Sequence, residues 1–332
     1  MEFLTDKSIS NRVLEFDNND LLPLLFGEHN AHLGYLENKL DITIADRGNT
    51  LTLSGGKQAV KTAEHVLKSL WQKLDENQNI GIAEIDAAIR FIEEDKKNGT
   101  SFNKKANQKN KKNGSEILIK TKKKDVAPRS PNQATYIEAI QNNELVFGLG
   151  PAGTGKTYLA VAVGVSMYLE GKVEKLVFCR PALEAGEKLG FLPGDMQEKV
   201  DPYLRPIYDA MHDMMPWDTI MSKIESGDIE IAPLAFMRGR TLSNAFVILD
   251  EAQNTTPTQM KMILTRMGES SRMVITGDIT QTDLPNGVKS GLRDATEILE
   301  GEDGIAFITF ENKDVVRHPL VSKIINAYDR HK

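Results

Sequence analysis

Two hydrophobic patterns divide the chain. Over about the first 75 residues, short stretches of alternating apolar and polar positions give way to apolar positions at helical spacing, which predicts the order β-α-α-β-β-α. An amphipathic helix over residues 81–95 follows. The pattern therefore predicts a small α+β domain at the start of the chain. Its predicted elements are residues 12–16, 20–26, 31–40, 41–44, 50–53 and 57–74.

The second pattern begins near residue 130, where continuous apolar runs recur between longer helical stretches. Runs of this kind are typical of strands that are buried on both faces. Strands that alternate with helices predict a parallel sheet covered by helices on both faces, a fold of the α/β class. Ligands of such sheets bind at the carboxyl ends of the strands. The predicted strands are residues 145–149, 175–179, 246–249, 273–276 and 305–309, with a brief one at 117–119.

A lysine-rich stretch separates the two patterns. The formal net charge of the chain is −6, but residues 96–130 carry 12 Lys or Arg against 2 Asp or Glu. Residues 96–115 have almost no apolar side chains to offset the entropy of ordering, which predicts a flexible linker. Contact with nucleic acid and a purely connecting role both fit its charge. The predicted domain boundaries are 1–95, 96–127 for the linker, and 128–332.

Composition narrows the class of protein. The single cysteine, Cys179, excludes an intramolecular disulfide and fits a reducing compartment. No basic segment followed by an apolar stretch opens the chain, and no uncharged apolar run approaches about 18 residues. We therefore expect a cytoplasmic protein without membrane contact. His29 and His32 are close in sequence, but the other histidines are scattered, which favours exposed polar residues over a metal site.

The stretch from Gly150 to Thr157 fits the phosphate-binding pattern G-x-x-x-x-G-K-[ST] at every position, between a predicted strand and a predicted helix. Its glycines let backbone N–H groups turn towards phosphate oxygens, and the helix N-terminus adds partial positive charge. Lys156 is predicted to reach the β- and γ-phosphates of ATP, and the Thr157 hydroxyl to bind Mg²⁺. The predicted nucleotide-binding residues are Gly150, Pro151, Ala152, Gly153, Thr154, Gly155, Lys156 and Thr157.

Two acids follow the apolar run 246–249 and form a Walker B element. Asp250 is predicted to hold Mg²⁺ through the water shell of the ion, and Glu251 to orient and deprotonate the attacking water. A Glu directly after the Asp is typical of P-loop proteins that hydrolyse ATP, and less expected in nucleotide kinases. With Ala252 and Gln253, the sequence DEAQ resembles motif II of helicases.

Two glutamines resemble further helicase motifs. Residues 277–281 read Gly-Asp-x-x-Gln after a predicted strand, which resembles motif III of superfamily 1 helicases and implies that Gln281 senses the γ-phosphate. Gln133 lies about twenty residues before Lys156 and resembles the Q-motif, in which an amide reads both a donor and an acceptor on adenine. A place in the first turn of a helix is the plainer interpretation of Gln133.

The stretch RPALEAGEKLGFLPGD is too irregular for a core element and resembles the signature of the PhoH family of ATPases. The resemblance implies ATP binding and hydrolysis, a cytoplasmic role and a link to RNA metabolism, as in an RNA helicase or remodelling ATPase. In some bacteria it also implies partnership with an rRNA-processing endoribonuclease. It extends over about residues 128–320. The stretches that carry it are residues 180–195, 199–206, 236–242, 250–256 and 277–285.

The N-terminal domain resembles a KH domain, a single-stranded RNA-binding module, in element order and size. The KH clamp is a GXXG loop between two helices. Here the matching loop is Gly27-Glu28-His29-Asn30, which lacks the last glycine and places a negative charge where phosphate would sit. RNA binding and contacts with a partner or a second copy both stay open for this domain. Its strand ends carry no spaced carboxylates, so we expect no intrinsic nuclease activity.

Helicases complete the ATP site with an arginine from a second RecA-like domain, but this chain has room for one such P-loop domain. An arginine of this kind is worth about 10³–10⁵ in rate. We therefore predict a ring-shaped homo-oligomer with ATP sites between subunits, and the PhoH resemblance points to a hexamer. Arg317, which follows the last predicted strand, is the first candidate. The other candidates are Arg180, Arg205, Arg238 and Arg240.

Three functions remain open on the sequence. They are an RNA-linked ATPase, a P-loop phosphotransferase, and a scaffold that uses ATP only as a conformational ligand. Glu251 favours an RNA-linked ATPase over a phosphotransferase, because a kinase needs no water-activating base and should carry an arginine-rich lid. Tight ATP binding with slow or absent turnover would support the third.

Overall fold

The computed structural model describes residues 9–97, 117–181 and 196–316 and the single positions 321, 324, 327 and 328. Arg317, the PhoH-like stretch 182–195 and most of the lysine-rich stretch lie outside the described residues. The chain divides into two compact units, of which one comprises residues 1–116 and 129–131 and the other the remaining residues. Among the helices described, none combines the length and apolar character needed to cross a membrane.

The first unit has the predicted order β-α-α-β-β-α, with one further helix. Its strands form an antiparallel sheet in which the last strand lies between the first two. Val60, Val66 and Leu70 are each at most 1% exposed, so the apolar face predicted for the long helix does form the core. The elements are β1 (Ile9–Glu15), α1 (Leu22–Phe26), α2 (Ala31–Leu40), β2 (Ile42–Arg47), β3 (Thr50–Gly56), α3 (Lys57–Asp75) and α4 (Ile82–Lys97).

The loop at the KH-clamp position has a left-handed backbone. The φ angles of Gly27, His29 and Asn30 are 75°, 52° and 60°. A Cβ added at Gly27 would lie 2.7 Å from the His32 ring, so this position also needs glycine for space. His32 Nδ1 lies 3.2 Å from the carbonyl oxygen of Leu25. The His32 ring therefore packs against the loop.

The second unit is a six-stranded parallel sheet flanked by helices, which confirms the predicted fold class. All five strands predicted from apolar runs after residue 130 are present. The elements are α5 (Pro131–Asn142), β4 (Leu145–Leu149), α6 (Lys156–Leu169), β5 (Lys175–Arg180), α7 (Met196–Met214), α8 (Trp217–Glu225), β6 (Ile229–Pro233), β7 (Ala245–Leu249), α9 (Pro257–Leu264), β8 (Arg272–Gly277), α10 (Gly291–Leu299) and β9 (Ile305–Thr309).

The sequence patterns did not predict β6, and they predicted one strand, at 117–119, that the structure does not form. Glu230 interrupts the apolar run of β6, and its Oε2 accepts a hydrogen bond from Arg240 Nη2 at 2.6 Å. The strand lies at the edge of the sheet, where an ion pair is tolerated. The brief strand predicted at 117–119 is wrong: Ile119 forms one isolated bridge with Val126.

Strand order brings the predicted motifs together. The sheet runs β6-β5-β7-β8-β4-β9, so β7, β8 and β4 are neighbours and their carboxyl ends meet at one edge. Phe147, Val247 and Ile275 lie on these three strands and are 0% exposed. The phosphate-binding loop follows β4, the two acids follow β7, and the Gly-Asp-x-x-Gln stretch runs from the end of β8.

Candidate functional site

The phosphate-binding loop joins β4 to α6, and its backbone path requires its glycines. Gly153 and Gly155 have φ angles of 83° and 84°, in the left-handed region that favours glycine. A Cβ added at Gly150 would lie 2.5 Å from the carbonyl oxygen of Phe310. The Gly150 N–H donates to the carbonyl oxygen of Gly277 at 3.1 Å. The loop is thereby fixed to both neighbouring chain segments.

The Lys156 ammonium lies within this loop. The residue is 9% exposed, and its Nζ donates to the carbonyl oxygens of Gly150 at 2.6 Å and Pro151 at 2.9 Å. The Thr154 hydroxyl donates to the same Pro151 oxygen at 2.9 Å. The positive charge is therefore held where phosphate oxygens can replace the two carbonyl oxygens.

Gln133 supports the loop through its side chain. It lies in the first turn of α5 and is 4% exposed, and its amide nitrogen donates to the carbonyl oxygen of Thr154 at 2.9 Å. A Cβ added at Gly155 would lie 3.2 Å from that nitrogen. The amide donor thus holds the loop in place, and the contact of Gln133 with adenine stays a prediction.

Asp250 follows β7 and collects donors from three other elements. Its Oδ1 accepts hydrogen bonds from the hydroxyls of Thr157 at 2.7 Å and Thr276 at 2.6 Å. Its Oδ2 accepts from Arg180 Nε at 2.8 Å and also from Arg180 Nη2. A carboxylate that is 2% exposed would be costly to bury without such partners. These bonds fix the orientation of the carboxylate.

The Thr157–Asp250 pair fits Mg²⁺. This ion prefers six oxygen ligands and usually takes one or two from protein, with the rest from phosphates and water. A hydroxyl and a carboxylate oxygen 2.7 Å apart supply that kind of donor set. In the described ranges, no group of three His, Cys, Asp or Glu side chains is placed to hold a metal. The substrate's phosphate oxygens would therefore complete the coordination.

Glu251 faces the solvent beside Asp250. Its backbone is left-handed, with φ 54° and ψ 38°, a conformation that costs a non-glycine residue about 1–3 kcal/mol and is common at functional sites. The side chain is 48% exposed, and its Oε1 lies 3.9 Å from Arg180 Nη2. Gln253, which was not among the predicted site residues, donates to Glu251 Oε2 at 2.6 Å. Its place in the DEAQ stretch was the available signal.

The stretch after β8 forms a turn. Asp278 Oδ1 accepts from the backbone N–H of Thr280 at 2.9 Å and from its hydroxyl at 2.7 Å. The Gln281 N–H donates to the Asp278 carbonyl oxygen at 3.1 Å, and the Gln281 side chain is exposed. Asp278 Oδ2 is buried and has no hydrogen-bond partner in the part of the chain that the structure describes. The turn thus presents Gln281 towards the same region as Glu251.

These side chains surround a cavity of about 490 Å³, a size typical of small-molecule sites. The predicted residues that line it are Ala152, Gly153, Gly155, Lys156, Thr157, Asp250, Glu251 and Gln281. The wall provided by α7 was not predicted, because only the fold brings this helix beside the loop. Its lining residues are Pro206, Asp209, Ala210 and Asp213.

The candidate arginines occupy different places. Arg180 lines the cavity, and it is the one candidate that does so among the described residues. Arg240 is bound to Glu230, and Arg205 and Arg238 are exposed and do not line the cavity.

Cys179 does not offer a nucleophile. It is 0% exposed, and its Sγ donates to the carbonyl oxygen of Ile248 at 3.4 Å. Burial raises the pKa of the thiol well above its ordinary value, and the carboxylates of Glu230 and Asp250 add to the rise. A thiolate is therefore not formed at neutral pH.

Several known proteins are similar to this chain. The crystal structure of Pif1 helicase from Candida albicans aligns at 15% identity and a TM-score of 0.33, covering 59% of this chain and 42% of that one, a likeness too slight for further conclusions. A PhoH-like protein of Bacillus subtilis is 50% identical over 306 residues, covering 92% of this chain and 93% of that protein. A PhoH-like protein of Synechocystis sp. is 46% identical, covering 92% and 90%. The family described as PhoH-like protein matches residues 125–329, so the chain belongs to the PhoH family.

Proposed function

We propose that the protein hydrolyses ATP in the cavity between the phosphate-binding loop and α7. One observation carries the proposal: Lys156, the Thr157–Asp250 pair and Glu251 line the same cavity. They offer a cation for phosphate, oxygen ligands for Mg²⁺ and a carboxylate open to water, which are the groups that phosphoryl transfer to water requires. The P-loop fold implies nucleotide binding, and hydrolysis is the proposed step beyond it.

The loop holds the nucleotide. The Lys156 ammonium exchanges the carbonyl oxygens of Gly150 and Pro151 for oxygens of the β- and γ-phosphates, and the N-terminus of α6 faces the same negative charge. Mg²⁺, when bound, neutralises charge that develops on the phosphate oxygens. Gln281 approaches the γ-phosphate from the turn after β8.

Glu251 accepts the proton of the attacking water. Its carboxylate is 48% exposed, so water reaches it, and the hydrogen bond from Gln253 fixes its direction. A phosphotransferase would have to place an acceptor hydroxyl at the same carboxylate. Analysis of the products distinguishes ATP hydrolysis from phosphoryl transfer, because hydrolysis releases inorganic phosphate and transfer yields a phosphorylated acceptor.

We infer that turnover is coupled to RNA, as in a helicase or remodelling ATPase. Membership of the PhoH family, the helicase-like motifs and the KH-like order of the first unit support this inference. The lysine-rich stretch 96–115 adds a sequence-independent attraction for phosphate backbones. The PhoH resemblance also supports an rRNA-processing endoribonuclease as a protein partner.

Single-stranded RNA is expected to raise the steady-state rate of ATP hydrolysis. Because backbone contacts release counterions, the RNA concentration that gives half-maximal stimulation should rise steeply with salt. The measurement is phosphate release across an RNA titration at several salt concentrations. Polyglutamate of equal charge controls for a general polyanion effect. A rate that depends on Glu251 but not on RNA would show that hydrolysis is not coupled to RNA, and would favour coupling to a protein partner.

We propose that the ATP sites lie between subunits of a ring, in which Arg317 comes from the neighbouring subunit. Arg317→Ala should then lower turnover by about 10³-fold or more. Mixing it with the equally inactive Glu251→Gln protein should restore activity, because some interfaces combine an intact Glu251 with an intact Arg317. Phosphate release by mixed rings tests this, with native mass giving the number of subunits. No recovery would argue for an arginine from the same subunit, where Arg180 lies 3.9 Å from Glu251.

A further inference from the structure

Gln253 lies between two parts of the site. It is 4% exposed, and both ends of its amide are engaged. The amide nitrogen donates to Glu251 Oε2 at 2.6 Å, and the amide oxygen accepts from the Asp278 N–H at 3.1 Å. One side chain thus contacts the proposed base and the first residue of the turn that carries Gln281.

Glu251 depends on this contact for its direction. Its side chain is 48% exposed, and an exposed carboxylate samples several rotamers unless a neighbour selects one. Arg180 Nη2, at 3.9 Å from Oε1, is too distant for a hydrogen bond. The hydrogen bond from Gln253 is therefore the contact that fixes the orientation of the Glu251 carboxylate.

The backbone around Gln253 is fastened to the segment 278–291. The Gln253 carbonyl oxygen accepts from the Ser290 hydroxyl at 2.7 Å, and Asn254 Oδ1 accepts from the Asp283 N–H at 2.9 Å. The middle and the far end of the segment are therefore joined to Gln253 and Asn254. A shift of this segment moves Gln253 with it.

Gly277 provides the space that Gln253 occupies. A Cβ added at Gly277 would lie 2.6 Å from Gln253 Oε1 and 2.6 Å from Leu292 Cδ2. Both distances are well inside van der Waals contact, so both side chains, or the backbone of Gly277, would have to shift. The glycine before Asp278 thus keeps the Gln253 side chain in its observed position.

We propose that Gln253 is a positioning residue, which aims the Glu251 carboxylate and ties it to the turn 278–281 so that the base and Gln281 keep one relative geometry. The proposal rests on the proposed function, because it takes Glu251 as the base for ATP hydrolysis. Gln253 lines the cavity, but its amide is engaged by Glu251 and Asp278, and it takes part in no step of the reaction itself. Its effect should therefore appear in kcat and not in the binding of ATP.

Gln253→Glu tests the proposal with the smallest change. It keeps the size of the side chain and the acceptor for the Asp278 N–H, but it puts a carboxylate oxygen where the amide donated to Glu251. We expect kcat to fall by about 10- to 100-fold, the range for losing a hydrogen bond to a charged group, with KM for ATP changed by less than about threefold. Gln259→Glu makes the same chemical change in the capping box of α9 and should alter neither constant.

A double variant separates positioning from general damage. In a Glu251→Gln protein, adding Gln253→Glu should cause no further fall in kcat, because Gln253 acts through Glu251. Gly277→Ala, which crowds Gln253 without altering it, should also lower kcat. An unchanged kcat in Gln253→Glu, or a full further fall in the double variant, overturns the proposal. No hydrolysis by the wild type overturns the proposed function and this proposal with it.

Discussion

Replacing Glu251 by Gln is expected to lower ATP turnover by about 10²- to 10⁴-fold while ATP stays bound. The amide cannot accept the proton of the attacking water, but it has the size of the carboxylate and does not touch the loop that holds the phosphates. Lys156, Thr157 and Asp250 keep their contacts in this variant. The nucleotide should therefore remain in the site as uncleaved ATP.

The measurement combines phosphate release with analysis of the nucleotide that copurifies or is retained after gel filtration. Glu138→Gln is the matched control, since Glu138 is exposed on α5 and does not line the cavity. A Glu251→Gln protein that hydrolyses ATP at the wild-type rate would show that another group is the base. Loss of ATP binding together with turnover would show that Glu251 holds the nucleotide.

Replacing Lys156 by Ala is expected to weaken ATP binding by about 30-fold or more. Truncating one member of a buried, hydrogen-bonded charge pair costs about 2–5 kcal/mol, and each 1.4 kcal/mol is tenfold in Kd. Lys156 is 9% exposed and its ammonium lies within the loop, so water cannot replace it efficiently beside a polyphosphate. Binding of a fluorescent ATP analogue gives the Kd directly.

Lys156 also bonds the carbonyl oxygens of Gly150 and Pro151, so its loss could loosen the loop itself. The melting temperature of the nucleotide-free protein reports that effect separately. Lys261→Ala, an exposed position on α9, is the control for removing a lysine side chain. Equal ATP affinity in Lys156→Ala and Lys261→Ala would contradict the assignment of Lys156 to the phosphates.

Local patterns of apolar and polar residues predicted many of the helices and strands of this fold. Helix α2 has the predicted limits, Ala31–Leu40, and the apolar runs before Gly150 and Asp250 are the buried strands β4 and β7. Such runs have few alternatives, because a strand buried on both faces must be apolar throughout. The edge strand β6 was missed because the Glu230–Arg240 ion pair replaces part of its apolar pattern.

The contacts that complete the site come from the fold and not from local sequence. Arg180 reaches Asp250 because β5 and β7 are adjacent in the sheet, although the two residues are far apart in the chain. In the same way Gln253 meets Asp278 across β7 and β8. A motif names the residue types that the chemistry needs, but it does not say which neighbour orients them.

Arg180 is a residue whose contact in the site depends on the order of strands in the sheet. The sequence offered it as one of several arginines for the ATP site, and the structure places it against the carboxylate that is assigned to Mg²⁺. A guanidinium and a cation cannot use the same Asp250 oxygen at once. Arg180 bonds Oδ2, whereas the oxygen that Asp250 shares with Thr157 is Oδ1, so the Arg180 contact can remain when Mg²⁺ binds on the Thr157 side.

Phosphate release by the purified protein is the direct test of ATP hydrolysis in this cavity. The wild type is compared with Glu251→Gln, prepared identically, with and without Mg²⁺. We expect linear phosphate release by the wild type that requires Mg²⁺ and almost vanishes in the variant. Equal rates in both proteins, or tight ATP binding by the wild type without phosphate release, would contradict it.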